Sequence, residues 1–95
     1  MYDILKYSNP LEVQRKAKQY LGNITVYLSD KPEKKYMIQK PDGKWVYFGQ
    51  MGFEDFTKHK DQERRNRYLR RTENMRGNWK NDKYSPNNLS RNLLW

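Results

Sequence analysis

The stretch YMIQKPDGKWVYFG, residues 36–49, predicts the centre of the fold. Two apolar runs flank the tetrapeptide KPDG at 40–43. Pro-Asp-Gly favours a turn because Pro presets φ, Asp bonds its own backbone and Gly accepts a positive φ. The pattern therefore predicts a β-hairpin. Alternation along the second strand places Trp45 and Tyr47 on one face and Phe48 on the other, so that one face packs on a helix and the other stays open.

Upstream of the hairpin, the sequence predicts a helix over residues 10–21. Asn9 is a good N-cap, Pro10 suits the first helical position, and Gly22 ends the helix. The helix is expected to cover one face of the sheet with an apolar stripe. The stripe consists of Leu11, Val13, Ala17, Tyr20 and Leu21. A short β-segment is predicted over residues 24–28.

Downstream of the hairpin, the chain is predicted to be helical. Phe53 and Phe56 are expected to anchor a short turn, and a longer basic helix follows over about residues 61–73. Ser85, followed by Pro, begins a last helix as its N-cap. The closing LLW at 93–95 needs burial, either in the chain's own core or against a partner.

The predicted fold class is α+β: an N-terminal helix packed on a small antiparallel sheet with the Pro-Asp-Gly hairpin, then a basic helix and a short C-terminal helix. Residues 1–8 are expected to be an N-terminal extension and residues 9–95 a single small domain. The 95 residues are only 35% apolar, but 15% are aromatic. Aromatic rings bury much area, so a folded domain is expected rather than a disordered chain.

Positive charge is concentrated in one part of the chain. The formal net charge is +9, of which +6 lies in residues 58–80, with nine Lys/Arg against three Asp/Glu. A focused field of this kind indicates an anionic partner such as nucleic acid, an acidic protein face or a membrane surface. The competing interpretation is a solvated helix face that only confers solubility.

Several classes of site are excluded by absent residue types. The chain contains no cysteine, which excludes a disulfide framework and a thiolate metal site. No apolar run approaches the roughly 18 residues needed to span a membrane, and no signal-peptide pattern opens the chain. The expectation is a soluble intracellular protein without a membrane span, or one packaged from inside a cell.

The arginines of the basic helix are the strongest functional candidates. Arg recognises phosphate through a planar fork of donors, which Lys lacks. Five such side chains, each neutralising one phosphate, predict that log K falls with log salt at a slope of about −4 to −5. The predicted nucleic-acid contacts are Arg64, Arg65, Arg67, Arg70 and Arg71, aided by Lys58, Lys60, Arg76 and Lys80. The alternative is internal pairing of two or three arginines with Glu54, Asp55 and Asp61.

The hairpin rings offer a second way to contact nucleic acid. Exposed rings stack on bases in single-strand binders. The segment KWVYFG at 44–49 does not match the RNA-recognition consensus in order or spacing, and most of its rings are expected in the core. Trp45 and Tyr47 are the candidate base-stacking pair.

Asp55, His59 and Asp61 form a candidate metal or acid–base cluster. Asp55 and His59 are four residues apart, which places them on one helix face, as in many metal sites. Two carboxylates and one histidine are a set that holds a divalent ion for phosphodiester cleavage. The competing interpretation is that these residues cap a helix and hold arginines. Because no second histidine or nucleophile–base pair accompanies them, the prediction is a protein without catalytic activity or cofactor.

A series of separated motifs runs through residues 17–95. They are KYMI at 35–38, PDGK at 41–44, VYFG at 46–49, DFTKHKD at 55–61, RR at 64–65, YLRR at 68–71, NWK at 78–80 and LLW at 93–95. Together they resemble a family of small basic proteins encoded by giant nucleocytoplasmic large DNA viruses, whose activity is not established. One departure is Tyr47, where many members carry His. The resemblance implies a viral protein of the host cytoplasm or viral factory, either free there or packaged in the virion.

Two hypotheses follow for function. The leading one is a non-enzymatic nucleic-acid-binding protein that contacts phosphates without sequence preference, in viral genome packaging or organisation. DNA is favoured over RNA, although phosphate contacts alone do not distinguish the two and an RNA-binding or translation-related role stays open. The hypothesis predicts salt-sensitive binding of double-stranded DNA. The alternative is a small structural component of the virion, of the minor-capsid type, that joins other virion proteins through Leu93, Leu94 and Trp95. It predicts weak DNA binding and burial of this end against a partner.

Overall fold

The computed structural model describes residues 4–77 and 79–95, and confirms the predicted α+β class. Helices α1, α2, α3 and α4 span Pro10–Leu21, Phe56–His59, Gln62–Glu73 and Pro86–Leu89, and strands β1, β2 and β3 span Tyr27–Leu28, Lys34–Gln39 and Trp45–Gln50. Short 3-10 turns lie at Ile4–Lys6 and Trp79–Asn81, and a π-helical turn, Ser90–Leu94, continues α4. No helix in these described ranges is long and apolar enough to cross a bilayer.

The three strands form one antiparallel sheet in the order β1-β2-β3. The Pro-Asp-Gly turn closes as predicted: the Gly43 N–H donates to the Lys40 carbonyl at 2.9 Å, and Gly43 has a φ of 88°. The Asp42 carboxylate accepts the Lys44 N–H at 2.9 Å. The resulting register places Tyr36 opposite Phe48. Both of these rings point to the buried face of the sheet.

Strand β1 is shorter than the β-segment predicted over residues 24–28. The reason is a side chain of α1. The amide of Gln14 donates to the Ile24 carbonyl at 2.8 Å and accepts the Val26 N–H at 2.7 Å. These backbone groups are therefore satisfied by α1 and not by a neighbouring strand.

The core lies between α1, the buried face of the sheet and the C-terminal segment. It consists of Val13, Ala17, Tyr36, Ile38, Phe48, Leu89, Leu93 and Leu94. Helix α1 packs mainly against Ser90–Leu94, and α4 packs against β3. Leu11, predicted in the apolar stripe of α1, is instead 86% exposed. Of the two predicted destinations for the LLW end, the structure shows the chain's own core.

Residues 4–8 are integrated into the domain, which corrects the prediction of an N-terminal extension over residues 1–8. Ser8 is buried, accepts a hydrogen bond from the Tyr36 hydroxyl and lies 3.2 Å from the Thr57 hydroxyl. The Asp55 N–H donates to the Tyr7 carbonyl at 3.0 Å. Residues 1–3 of the predicted extension, and Asn78 of the NWK motif, lie outside the described residues.

The buried Tyr36 phenol predicts an alkaline loss of stability. Burial raises the pKa of Tyr36 above its ordinary value, while the unfolded chain releases this proton near pH 10. The stabilisation is therefore complete below pH 10 and is lost as the pH rises further, by about 1.4 kcal/mol per pH unit. Urea unfolding from pH 8 to 11 should show a steeper decline for the wild type than for Tyr36→Phe. Parallel profiles would contradict the prediction, and Tyr27→Phe, which alters an exposed ring, is the control.

Candidate nucleic-acid interface

The side chain of Asp61 caps the start of helix α3. The spacing of the arginines along this helix determines which side of it each one occupies. The Asp61 carboxylate accepts the N–H groups of Glu63 and Arg64 at 3.0 and 3.3 Å, as an N-cap does. From there, Arg64, Arg67 and Arg71 follow at intervals of three and four residues, which places them on one side of the helix. That side borders a cleft.

The cleft lies between α3, the outer ends of β2 and β3, and the C-terminal segment, and has a volume of about 790 Å³. Arg64, Arg67 and Arg71 line it from α3, and Lys34 lines it from the sheet. Beside the arginines, the rings of Tyr68 and Trp95 stack with centroids 4.2 Å apart and planes inclined by 10°. The cleft is therefore basic on two sides and partly aromatic.

Most of the positive charge in the cleft is uncompensated. Arg64 lies 3.4 Å from the Glu54 carboxylate, and both side chains are about 40% exposed, so that water screens the pair. Arg71 lies over the Tyr68 ring, 5.5 Å from its centroid. Within residues 4–77 and 79–95, Arg67 and Lys34 make no ion pair. Arg67, Arg71 and Lys34 therefore face the cleft with no carboxylate partner there.

Arg65 does not belong to this set, although it was predicted to contact phosphate. Its Nε donates to the Trp95 carbonyl at 2.5 Å, and its guanidinium lies 5.6 Å from the centroid of the Phe56 ring. One position further along α3 than Arg64, it is turned by about 100° around the helix axis, lies outside the cleft lining and ties α3 to Trp95. Arg70 is exposed on the outer surface of α3, beside Glu63.

The four other residues predicted to contact nucleic acid also fall into two groups, one paired within the fold and one exposed. Lys60 pairs with Glu12, and Lys80 pairs with Glu73 at 2.8 Å. Lys58 and Arg76 are exposed. Two of the predicted lysines are thus paired within the fold, but with acidic residues other than Glu54, Asp55 and Asp61. Of those three, Glu54 alone pairs with an arginine in the described part of the chain.

The candidate cluster of Asp55, His59 and Asp61 is not grouped as a metal site in the described residues. The buried Asp55 carboxylate accepts the Thr57 N–H at 3.0 Å as the N-cap of α2 and pairs with Lys35 at 3.1 Å. Asp61 caps α3. Among the residues that the structure describes, no three His, Cys, Asp or Glu side chains are grouped to hold a metal ion. The two aspartates act as helix caps, as the competing interpretation proposed.

His59 is held between α2 and the end of the chain. Its Nδ1 accepts the Asp61 N–H at 2.9 Å, and its ring centroid lies 5.1 Å from that of Trp95. Burial lowers the pKa of His59, and the nearby Arg64 charge lowers it further. A neutral imidazole is the form that can accept through Nδ1. These contacts hold the histidine at the junction of α2 and α3.

The hairpin rings are less buried than predicted. Phe48 is in the core, whereas Trp45 is exposed and packs edge-to-face on Tyr27 at 5.7 Å. Tyr47 donates to the Asp30 carboxylate at 2.7 Å. Lys31 Nζ lies 4.2 Å from the centroid of the Tyr47 ring. Both candidate stacking rings are on the open face of the sheet, outside the lining of the cleft, and Lys31 covers one of them.

The structure also assigns to the cleft residues that the sequence did not single out. Phe53, expected to anchor a turn, is 64% exposed, and Met75 is 51% exposed; both line the cleft. Gln50 joins Lys34 on the sheet side. No local pattern marks these residues, because their neighbourhood is created by packing between distant segments.

Trp95, proposed to contact a virion partner, instead stacks on Tyr68, and Leu93 and Leu94 are fully buried. These two leucines therefore offer no exposed surface to a partner, and contact of this end with another virion protein stays a prediction.

Comparison with known proteins identifies a family for this chain. No curated protein and no solved structure is significantly similar to the chain. The family described as a family of unknown function, DUF5754, matches residues 24–72. The matched region is just over half of the chain and contains the whole sheet and the cleft arginines of α3. The chain therefore belongs to the DUF5754 family, whose function is unknown.

Proposed function

We propose that the protein binds nucleic acid without catalysis, through phosphate contacts in the arginine-lined cleft. One observation carries the proposal: Arg64, Arg67 and Arg71 share a side of α3 and border a concave surface, where Arg67 and Arg71 have no carboxylate partner in the described ranges. The seven helical steps from Arg64 to Arg71 span about 10 Å of helix axis. Three stacked nucleotides rise by about the same distance.

Contacts of this kind carry no sequence information. Guanidinium groups that bind phosphate position a strand without reading its bases, so binding is sequence-independent. DNA is the proposed ligand. On the strength of the sequence resemblance alone, we place this binding in the organisation or packaging of a viral genome.

The proposed contact set is smaller than the predicted one. Arg65, Lys60 and Lys80 are engaged within the fold, so they are assigned no phosphate. Arg70, Lys58 and Arg76 are exposed outside the cleft lining and contribute to the long-range field. If Arg64, Arg67 and Arg71 each neutralise one phosphate, they contribute about −2.7 to the slope of log K against log salt.

A triple substitution tests the proposal. Replacing Arg64, Arg67 and Arg71 with Ala should weaken binding of a fluorescein-labelled DNA duplex at least about tenfold at ~50 mM salt, and should flatten the salt slope by about 3, because three phosphate contacts are lost. Fluorescence anisotropy at two or more salt concentrations measures both quantities. The duplex is suitable here because any phosphate-binding surface engages it at low salt.

The control removes the same charge elsewhere. Lys6, Lys18 and Lys44 are exposed on other elements, and their triple replacement with Ala lowers the net charge equally. Equal losses for both triple variants would show that net charge, rather than the cleft, determines binding. A wild-type protein that binds no DNA at low salt would overturn the proposal altogether.

A further inference from the structure

We propose that the cleft takes a single strand of nucleic acid, with an unpaired base stacked on Phe53 while neighbouring phosphates lie on Arg64, Arg67 and Arg71. This inference rests on the proposed function and specifies the form of its ligand. The observation behind it is an exposed aromatic ring within a basic cleft, since Phe53 is 64% exposed and lines the same cleft as the three arginines. Basic grooves with exposed rings are the common means of binding single strands.

The backbone that carries Phe53 is held on both sides. The Phe53 carbonyl accepts a hydrogen bond from the buried Lys35 ammonium at 2.5 Å. Two residues later, Asp55 is buried, pairs with the same lysine and donates its N–H to Tyr7. Between them, Glu54 pairs with Arg64. The ring is thus presented to solvent from an anchored segment, which reduces the entropy lost when a ligand stacks on it.

The cleft is large enough for a nucleotide unit, and its exposed ring favours an unpaired base over a duplex. Its volume of about 790 Å³ lies within the range that accommodates small ligands. Bases within a duplex are stacked on each other, so a base reaches Phe53 only if it is unpaired or extruded. A duplex would contact the arginines at the rim and leave the ring unused.

Further groups in the cleft suit a base. Met75 is 51% exposed and adds apolar surface. Gln50 is exposed at the end of β3, and its amide makes no hydrogen bond within the described residues, so it is available to a base edge. Stacking accepts every base because each has a π-face, and therefore strand selectivity does not require sequence selectivity.

The experiment compares three fluorescein-labelled probes of equal length: a single DNA strand, the same strand with abasic sites throughout its centre, and the duplex. Phe53→Ala should weaken binding of the base-bearing strand by about fivefold to one hundredfold, the effect measured for the loss of one base–aromatic stack. Binding of the abasic strand and the duplex should stay unchanged. Phe53→Trp, which keeps a ring, should retain the affinity of the wild type. In the base-bearing strand, 2-aminopurine fluorescence should be quenched by the wild type and not by Phe53→Ala.

Trp45→Ala is the matched control, because Trp45 is an exposed ring on the open face of the sheet. It should leave all three affinities unchanged. If Trp45→Ala produces the loss and Phe53→Ala does not, stacking occurs on the sheet and the inference is wrong. It is also wrong if Phe53→Ala weakens the abasic and base-bearing strands equally, or weakens neither. In those cases the proposed function stands, as long as the arginine variant still loses affinity. If the wild type binds none of the three probes, both proposals fall.

Discussion

Replacing Lys35 with Met is expected to destabilise the fold by about 3–5 kcal/mol, because it leaves the Asp55 carboxylate buried without a counter-charge. The side chains of both residues are almost fully buried, and their charged atoms lie 3.1 Å apart. Burial lowers the pKa of Lys35, and the Asp55 charge opposes that shift. Urea denaturation at neutral pH, followed by circular dichroism, measures the loss in the free energy of unfolding.

A double variant separates the buried charge from lost packing. Asp55→Asn removes the negative charge but keeps an oxygen that can accept the Thr57 N–H. Lys35→Met combined with Asp55→Asn should therefore be more stable than Lys35→Met alone, because no uncompensated charge remains. If the double variant loses the sum of both single effects, the two side chains are not coupled and the explanation fails. A single variant within about 1 kcal/mol of the wild type would contradict burial of the pair.

Leu93→Ala is expected to cost about 2–5 kcal/mol, since it removes most of a side chain that has no exposed surface and leaves a cavity at the centre of the core. Leu93 lies in the π-helical turn that packs against α1, so the loss acts on the contact between the two ends of the chain. The same denaturation experiment measures it.

Leu11→Ala is the control for this second prediction. The chemical change is identical, but Leu11 is 86% exposed, so its stability effect should stay within about 0.5 kcal/mol. Similar losses in both variants would contradict the assignment of the core. A small effect at Leu93 would revive the hypothesis that the LLW end is held by a partner and not by the chain itself.

The elements that could be predicted from the sequence are those with local signals. Asn9 caps α1 through the Glu12 N–H, and Ser85 caps α4 through the Asn88 N–H, because a cap acts within three residues of itself. The Pro-Asp-Gly turn likewise depends on a few adjacent residues. The sequence also predicts the start of α3 to within one residue, and Asp61 is its N-cap.

The candidate site could be predicted only in part. The concentration of arginine on α3 is visible in the composition of the sequence. Composition does not, however, distinguish the role of Arg65 from that of Arg67. In the fold one donates to the Trp95 carbonyl, 30 positions away, while the other borders the cleft. The residues that flank Phe53 in the sequence do not indicate that its ring is exposed. Its role depends on Lys35, 18 residues earlier, which holds its carbonyl.

By itself, the sequence determined the capped starts of α1, α3 and α4, the hairpin turn, the α+β class and the strong positive charge of α3, because caps, turn residues and charge counts act locally or need no geometry. The tertiary structure alone decided which arginines remain available, which aspartate meets Lys35, and where the LLW end is buried. The physical reason is the same in each case. These outcomes depend on which distant groups come within about 4 Å of each other, where burial and pairing change the free energy of a charge.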